Sequence, residues 1–380
     1  MEIKPTIETF AKIKVIGVGG SGGSAINWMM KSKIRGVDFL AVNTDAQALH
    51  HSLAPHKLHI GKTTTRGLGA GMDPELGRKA AEESQNEIRD ALKGSDMVFL
   101  MCGLGGGTGT GAAPLIADVS RDIGALTVAV VTKPFSFEGS QRRAIAEKGH
   151  SELAGKVDTI ITIPNDRLIS IVEKKTTLLD AFSVVNEVLR QGVAGISEII
   201  TVPGLINVDF ADVKAIMRDA GSALMGIGAG EGENRAIEAA KQAVSSPLLE
   251  VSIEGAKGVL FIITGGPDLM MHEVNDAAKI ITGEADPNAK VIFGTVINEA
   301  MKNTLRITVI ATGFGVQGER PSHVSAFSQP QRPQPAMGNV TRPVRPTPEP
   351  SITNTDEALP KKSKEEEELE IPAFIRKKMG

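Results

Sequence analysis

The feature that decides the fold is the run Gly105-Gly106-Gly107-Thr108-Gly109-Thr110-Gly111, with five glycines and two threonines in seven residues. It follows an apolar segment that ends at Met101 and precedes a helix-like segment that begins near Ala112. Backbone N–H groups and two hydroxyls in such a run can surround an oligophosphate, whereas a flexible linker would not sit between a strand and a helix. The run therefore predicts a phosphate-binding loop after a strand of a parallel sheet.

A second glycine cluster follows the first apolar run of the chain and reads Gly17-Val18-Gly19-Gly20-Ser21-Gly22-Gly23-Ser24. By itself it fits the dinucleotide pattern Gly-x-Gly-x-x-Gly, with Asn43 or Asp45 near the expected ribose position. A tight turn without a ligand is the plainer interpretation. A nicotinamide-dependent oxidoreductase is the main rival in function, but it leaves Gly105–Gly111 unexplained and no His, Tyr or Lys constellation for its chemistry stands out.

Composition excludes several other classes of protein. The 380 residues carry 42 basic and 45 acidic side chains, so no net positive field favours nucleic acid. The aromatic residues are 12 Phe and one Trp, too few for a platform that stacks unpaired bases, and the single Cys102 excludes a disulfide framework. We expect no secretory signal in Met1–Phe10, no membrane span and a reducing, cytoplasmic location.

Strand-like and helix-like segments alternate along the chain, as in a parallel sheet with crossover helices. The predicted strands are Ile13–Gly17, Asp38–Val42, Met97–Met101, Leu126–Val131, Thr159–Ile163, Gly258–Thr264, Lys290–Ile297 and Leu305–Ala311. The predicted helices are Ser24–Lys33, Pro74–Lys93, Ala112–Gly124, Ser140–Leu153, Asn234–Val244 and Pro267–Ile281.

A long helix is predicted between the two sets of segments, because apolar residues recur every three or four positions from Leu179 to Ile200. It ends at the breaker pair Pro203-Gly204. We therefore expect two α/β lobes joined by one helix. From Glu319 to about Lys364 the chain is rich in Pro, Gln, Ser and Thr, which predicts a disordered linker.

These residues resemble the FtsZ family, the bacterial tubulin-like cell-division GTPases, from about Lys12 through Phe314 and again in the last dozen residues. The run Gly105–Gly111 is the tubulin-type nucleotide signature. The other matching motifs are Asn43-Thr44-Asp45, Gly67-Leu68-Gly69-Ala70-Gly71, Pro134-Phe135-Ser136-Phe137-Glu138-Gly139, Ile163-Pro164-Asn165-Asp166-Arg167-Leu168 and Asn207-Val208-Asp209-Phe210-Ala211-Asp212.

The resemblance implies a tubulin-like α/β fold: a parallel-sheet nucleotide-binding domain, a long central helix, a smaller α/β C-terminal domain and a disordered tail. The domain limits that we expect are an N-terminal extension over 1–11, a GTP-binding domain over 12–177, the central helix over 178–202, an activation domain over 203–316, the linker over 317–364 and a partner-binding peptide over 365–380.

The resemblance also implies a GTP site with Mg²⁺. Gly20 to Ser24 and Gly107 to Gly109 would hold the phosphates, and Glu138 with Arg142 would meet the ribose and base region. The full expected set is Gly19, Gly20, Ser21, Gly22, Gly23, Ser24, Asn43, Asp45, Ala70, Gly71, Gly106, Gly107, Thr108, Gly109, Thr110, Glu138, Arg142, Asn165, Phe182 and Asn186.

Some of these residues also have plainer interpretations. Glu138 and Arg142 have the i, i+4 spacing of a surface helix pair. Phe182 fits the apolar stripe of the long helix and would ordinarily be core. Ser24 stands where the family commonly has Asn, and Asn186 where some members have Asp, which would soften guanine selectivity because an amide offers one oxygen acceptor and one donor.

The catalytic residues that the resemblance implies are Asn207, Asp209 and Asp212, which would reach the γ-phosphate of a neighbouring subunit. Three residues apart, the two carboxylates can face the same way once the chain is helical and orient a water. The plainer interpretation is an N-cap for the following helix, which would leave a nucleotide-binding scaffold without catalysis.

The tail is expected to bind partners, because a short apolar segment with basic residues follows the acidic run Glu365–Glu368. By resemblance it binds membrane tethers and division regulators through Glu370, Ile371, Pro372, Phe374, Ile375 and Arg376. The protein would form homopolymers at the inner face of the cell membrane during division, with no nucleic acid and no membrane insertion of its own. An unused terminus is the alternative.

A cluster of histidines invites a metal interpretation that we do not favour. His50, His51, His56 and His59 lie within ten residues, but no cysteine or dense acidic set accompanies them, and Pro55 indicates a polar surface loop. We therefore expect no metal held by protein side chains alone.

Overall fold

The computed structural model describes residues 11–169, 176–201, 206, 208–249 and 252–314. Asn207, the linker expected over 317–364 and the peptide expected over 365–380 lie outside these residues, as do the first ten residues of the expected extension. No described helix is long and apolar enough to cross a bilayer.

Strands and helices alternate through most of the described chain. The strands are β1 Ile13–Val18, β2 Val37–Asn43, β3 His56–His59, β4 Met97–Gly103, β5 Leu126–Lys133, β6 Thr159–Pro164, β7 Gly221–Glu231, β8 Gly258–Gly265, β9 Lys290–Ile297 and β10 Thr304–Thr312. The helices are α1 Gly19–Lys31, α2 Ala46–His50, α3 Lys62–Thr65, α4 Pro74–Glu83, α5 Gln85–Leu92, α6 Gly107–Asp122, α7 Ser140–Ala154, α8 Asn165–Ile169, α9 Leu178–Thr201, α10 Phe210–Met217, α11 Arg235–Val244 and α12 Met271–Gly283, with a 3₁₀ turn at Ser136–Glu138.

All ten strands belong to one sheet, in the order β3-β2-β1-β4-β5-β6-β7-β10-β8-β9. Neighbouring strands are parallel except at β10, which is antiparallel to both β7 and β8. The two lobes expected from the sequence are therefore parts of one continuous sheet. They meet where β6 pairs with β7, from Thr159 opposite Gly221 to Ile161 opposite Ala223.

Both faces of the sheet are buried in its first half. In β4, Met97, Phe99 and Met101 face the core that includes α1 and α9, while Val98 and Leu100 face the core that includes α4 to α7. This double burial explains why the strands read as continuous apolar runs. The predicted long helix is confirmed as α9, whose core residues pack together with those of both halves of the sheet.

Each predicted strand is confirmed to within two residues at either end, whereas β7 is absent from the elements that the sequence pattern predicts. Glycine has low strand propensity, and β7 carries it at alternate positions. Gly226, Gly228 and Gly230 face α11 so closely that an added Cβ would lie 2.0 to 2.1 Å from carbonyl oxygens of that helix. The glycines of β7 thus allow α11 to pack directly against the backbone of the strand.

Three further expectations are corrected. The single helix expected over Pro74–Lys93 is two helices separated at Ser84, whose hydroxyl accepts a hydrogen bond from the backbone N–H of Gly61 at 3.1 Å. His56–His59 form the edge strand β3 rather than a loop. The helices expected to begin at Ser24 and Ala112 begin at Gly19 and Gly107, so the glycine clusters form their first turns.

A buried ion pair joins α11 to α12 in the second half of the sheet. Arg235 is 4% exposed and Glu273 is 7% exposed. The guanidinium donates to both carboxylate oxygens of Glu273, at 2.7 and 3.0 Å, and to Asp268 at 2.6 Å. The hydrogen bond from Arg235 lowers the pKa of Glu273, although burial opposes this shift.

We expect Glu273→Gln to lower the free energy of unfolding at pH 7 by about 3 kcal/mol or more, because Arg235 would lose its buried counter-charge. Since the pKa of Glu273 is lowered in the folded state, its contribution is complete above the ordinary value of 4.5 and is lost as the pH falls below it. The difference between variant and wild type should therefore shrink at pH 3 in urea unfolding measurements.

The control is Glu82→Gln, which breaks an exposed i, i+4 pair with Arg78 and should cost no more than about 0.5 kcal/mol. Equal effects of the two substitutions at pH 7 would contradict the role assigned to the buried pair.

Candidate functional site

A cavity of about 380 Å³ opens at the carboxyl ends of the central parallel strands. Its lining includes Val18 at the end of β1, Gly103 at the end of β4, Thr132 near the end of β5, and Asn165 directly after β6. Ligands of open parallel sheets bind outside these strand ends, in clefts of about 300 to 1,000 Å³. The cavity therefore has the position and size of a ligand site.

Two helices begin at this cavity. Val18 and Gly106, the N-cap residues of α1 and α6, make no side-chain cap hydrogen bond, and neither helix has an acidic residue in its first turn. The N–H groups that no side chain caps give each helix start a partial positive charge of roughly +0.5. With Gly20, Ser21 and Gly107 also in the lining, the pair of helix starts suits a polyphosphate.

The glycines at the start of α6 have two different reasons to be glycine. A Cβ on Gly107 would lie 2.6 Å from the carbonyl oxygen of Ala70 and 2.7 Å from that of Gly71, so the helix contacts this segment backbone to backbone. Gly107 N–H also donates to Gly71 O at 2.7 Å. A Cβ on Gly20 or Gly106, by contrast, would meet nothing within 4 Å, because these residues border the cavity.

The two threonines of the glycine run, Thr108 and Thr110, have different roles. Thr108 lines the cavity, and its hydroxyl is 2.6 Å from that of Thr44. Thr110 is buried and its hydroxyl accepts from Gly105 N–H at 2.9 Å, which holds the turn before α6. Thr108 is thus placed to meet a ligand, while Thr110 shapes the loop.

Glu138 and Arg142 form the wall of the cavity after β5. Their side chains are 2.6 Å apart, and Glu138 also accepts a hydrogen bond from Phe135 N–H at 2.8 Å. The ion pair is present, but it is not the pair on one surface helix that the plainer interpretation assumed, because Glu138 ends the 3₁₀ turn and Arg142 lies on α7. Both residues line the cavity. The ion pair is thus part of the cavity wall.

Asn165 presents an unsatisfied acceptor in the cavity. The residue is 6% exposed, and among the described residues its Oδ1 has no hydrogen-bond partner. A buried acceptor left unpaired costs about 1 to 3 kcal/mol, so a ligand that donates an N–H or O–H there would gain that energy. Phe182, which is 43% exposed, forms the neighbouring wall and contacts Phe135 edge to face at 5.6 Å between ring centroids.

Several predicted site residues are outside the lining of this cavity. Asp45 caps α2, accepting from Ala48 N–H at 3.0 Å, and Asn186 is half-buried one turn after Phe182 on α9. Gly22 packs against the carbonyl of Met101. A smaller cavity of about 100 Å³ beside α1 is lined by Gly23, Ser24 and Asn43, together with the predicted residues Gly19 and Gly20.

Other lining residues are absent from the site set expected from the sequence, namely Gly103, Leu104, Thr132 and Pro134, although Pro134 belongs to one of the matching motifs. They lie at or just after the ends of β4 and β5. The position of residues at strand carboxyl ends is the signal that would have found them, since those ends meet at one edge of a parallel sheet.

The predicted catalytic residues are remote from this lining. Asp209 and Asp212 are exposed, and neither lines the cavity. Their helix, α10, ends at the amino-terminal edge of the sheet, where the carbonyl of Met217 accepts a hydrogen bond from Thr159, the first residue of β6. Asp209 is the N-cap and accepts from Asp212 N–H at 2.8 Å, as the plainer interpretation predicts.

Comparison with known proteins agrees with this geometry. Residues 12–173 match the model of the Tubulin/FtsZ family GTPase domain, and residues 221–315 match the FtsZ family C-terminal domain. An FtsZ dimer from M. jannaschii is 48% identical, with 81% of this chain and 89% of that chain covered and a TM-score of 0.78. CetZ2 from Haloferax volcanii, solved as a GTPγS-bound protofilament, is 24% identical over 79% of this chain and 92% of its own, with a TM-score of 0.68, and shows the fold alone.

The matched segments contain both helix starts at the cavity and the second half of the sheet. The expected tubulin-like fold, with a nucleotide-binding domain and a C-terminal domain, is thus confirmed. With 48% identity over most of both chains, the protein belongs to the Tubulin/FtsZ family and is a GTPase.

Proposed function

We propose that this GTPase assembles head to tail, and that Asp209 and Asp212 of one subunit act on the GTP bound by the next. One observation carries the proposal. The cavity opens at the carboxyl edge of the sheet, whereas the helix with the two carboxylates ends at the amino edge. Contact between unlike faces does not close on itself under translation, so it propagates as a filament. The FtsZ dimer from M. jannaschii supports self-association.

Within the cavity, catalysis would rest on positioning and charge. The N-termini of α1 and α6 would neutralise the phosphates, and Asn165 and Phe182 would meet the base. The two carboxylates would orient the attacking water from across the contact. Loss of the γ-phosphate would then weaken the contact and couple hydrolysis to disassembly.

The cavity also fits a magnesium ion that travels with the nucleotide. Among the described residues no group of three His, Cys, Asp or Glu side chains could hold a metal alone. Mg²⁺ generally keeps several waters and takes phosphate oxygens as ligands, so the hydroxyls of Ser21 and Thr108 in the lining would suffice as protein partners. When bound, it would neutralise phosphate charge.

The biological role that we propose is organisation of the division ring at the inner face of the cell membrane. The support is membership of the FtsZ family through both of its domains. The domain limits proposed from the sequence, and partner binding by Glu370–Arg376, belong to this proposal.

We expect GTP turnover per subunit to show a threshold in protein concentration. Because neither carboxylate lines the cavity of its own chain, a lone subunit has an incomplete site. Phosphate release in the presence of magnesium should be near zero below the threshold and constant per subunit above it. A rate per subunit that does not depend on concentration would require withdrawal of the roles of Asp209 and Asp212.

Two variants should complement each other in a mixture. Gly106→Val would fill the cavity without clashing with the fold, since a Cβ there meets nothing within 4 Å. Asp212→Ala would keep GTP binding and lose about 100-fold or more in turnover, without removing the N-cap at Asp209. Each should be inactive alone, and the mixture should recover activity where an intact cavity meets an intact Asp212.

The control is Gly283→Ala, which also adds a methyl group in open space but is remote from the cavity, and should behave as wild type. Unchanged turnover in Asp212→Ala would leave a GTP-binding scaffold with a helix cap. Co-assembly of the two variants without recovered turnover would contradict catalysis across the contact.

Guanine selectivity should be modest and should rise in Asn186→Asp. A carboxylate accepts two hydrogen bonds from guanine, and hydrogen bonds to charged groups are worth about 1.5 to 3 kcal/mol, so the ratio of ATP to GTP Kd should increase about tenfold or more. Competition binding of GTP and ATP measures this ratio. A wild-type preference for GTP of several orders of magnitude, unaltered by the substitution, would contradict the effect on guanine selectivity that we assign to Asn186.

A further inference from the structure

Trp28, the only tryptophan in the sequence, links the phosphate-side helix to the long helix. It lies on α1, whose first turn borders the cavity. Its indole N–H donates to Glu187 Oε2 on α9 at 3.1 Å, between residues 159 positions apart. Glu187 directly follows Asn186 and lies five residues after Phe182. The bond thus joins two elements that both reach the cavity.

The carboxylate of Glu187 is held by three side chains. Arg190 donates to both oxygens, at 2.8 and 2.5 Å, and Gln191 donates at 2.7 Å. Burial alone would raise the pKa of Glu187, but the hydrogen bonds from Arg190, Gln191 and Trp28 outweigh it and lower the pKa to about 2. The bond from Trp28 is therefore charge-assisted at physiological pH, and such bonds are about twice as strong as neutral ones.

Of these three partners only Trp28 lies on another element. Arg190 and Gln191 lie on α9 itself, three and four residues after Glu187, so their bonds orient the carboxylate without fixing the helix to its surroundings. The charge-assisted bond that fastens α9 to α1 at this level is the one from Trp28.

A second contact holds the far end of α9. Gly36, in the turn between α1 and β2, has φ +75°, and an added Cβ would lie 2.2 Å from Oγ1 of Thr201. Thr201 is the last residue of α9 and precedes Asp209 by eight positions. Along roughly 36 Å of helix, α9 thus runs from the cavity to the segment that leads to α10.

We propose that Trp28 and Glu187 are positioning residues for GTP hydrolysis. Their hydrogen bond sets α9 against α1, so that occupation of the phosphate side of the cavity is transmitted to Phe182 and Asn186 and, along the helix, to the carboxylates of α10. The transmission to the carboxylates of α10 rests on the proposed function, whereas the coupling between α1 and α9 does not. A change at the start of α1 on binding GTP alters the surroundings of Trp28.

The test uses Trp28→Phe, which keeps an aromatic ring and removes the donor, and Glu187→Gln, which keeps the shape and removes the charge. Both are studied in the full-length protein well below their melting temperatures. We expect kcat above the assembly threshold to fall about fivefold in Trp28→Phe and about tenfold in Glu187→Gln. The double variant should be no slower than Glu187→Gln, because the two residues act through one bond. Glu187→Asp should restore part of the loss.

Fluorescence supplies a second readout. Because the chain has one tryptophan, its emission reports position 28 directly. Below the assembly threshold, GTP with magnesium should shift the emission of the wild type, and Glu187→Gln should lose that shift while still binding GTP. The matched control is Asp276→Asn, which breaks an exposed i, i+3 pair with Lys279 on α12 and should leave emission and kcat unchanged.

The outcomes separate this proposal from the function on which part of it rests. An emission that GTP does not alter in the wild type, effects on kcat that add up in the double variant, or a lowered melting temperature with wild-type kcat would each overturn the positioning role. A GTP-dependent emission shift combined with full turnover in Asp212→Ala would retain the coupling of α1 to α9 and overturn only catalysis across the contact.

Discussion

The structure depends on a contact in which two backbones meet without side chains between them. An added Cβ on Gly107 would lie within 2.8 Å of the carbonyl oxygens of Ala70, Gly71 and Asp73, and one on Gly111 would lie 1.9 Å from that of Pro74. Gly77 of α4 is equally close to the carbonyl of Gly107. This contact fixes the start of α6 against residues 70–74 and α4, and only glycine permits it. The start of α1 also lies close to α6, because a Cβ on Gly19 would be 3.1 Å from the backbone nitrogen of Gly109. The starts of both helices therefore border the same cavity.

The continuous sheet then determines what a single chain is able to do. Because β6 pairs with β7, the strands after the long helix extend the first half of the sheet, and α10 ends at the sheet edge opposite the cavity. A binding site at one edge and exposed carboxylates carried by a helix that ends at the other give a subunit with two unlike faces. In a family of GTPases, this polarity is the physical basis of the proposal that hydrolysis occurs at the contact between subunits.

The long helix α9 connects these parts. Phe182 stands at the cavity, Glu187 bonds to α1, and Thr201 fits against Gly36 near the segment that leads to α10. Close-packed helices transmit displacement because the interior has little free volume to absorb it. A helix held in this way at two points can carry a change at the start of α1 toward both Phe182 in the cavity wall and the segment that leads to the proposed catalytic carboxylates.

The sequence by itself determined the features that depend on near neighbours along the chain. Glycine runs between strands and helices predicted the two segments that border the cavity. Apolar periodicity predicted α9, and continuous apolar runs predicted each strand except β3 and β7. The tertiary structure alone decided what depends on residues far apart in sequence. The glycines of β7 let α11 pack directly against the strand, which no side chain would allow. Asn165 keeps an unpaired acceptor because β6 ends at the cavity. Trp28 donates a hydrogen bond to Glu187, 159 positions away in the sequence. Local patterns record backbone preference, whereas these contacts arise only once the chain has folded and distant residues compete for the same space.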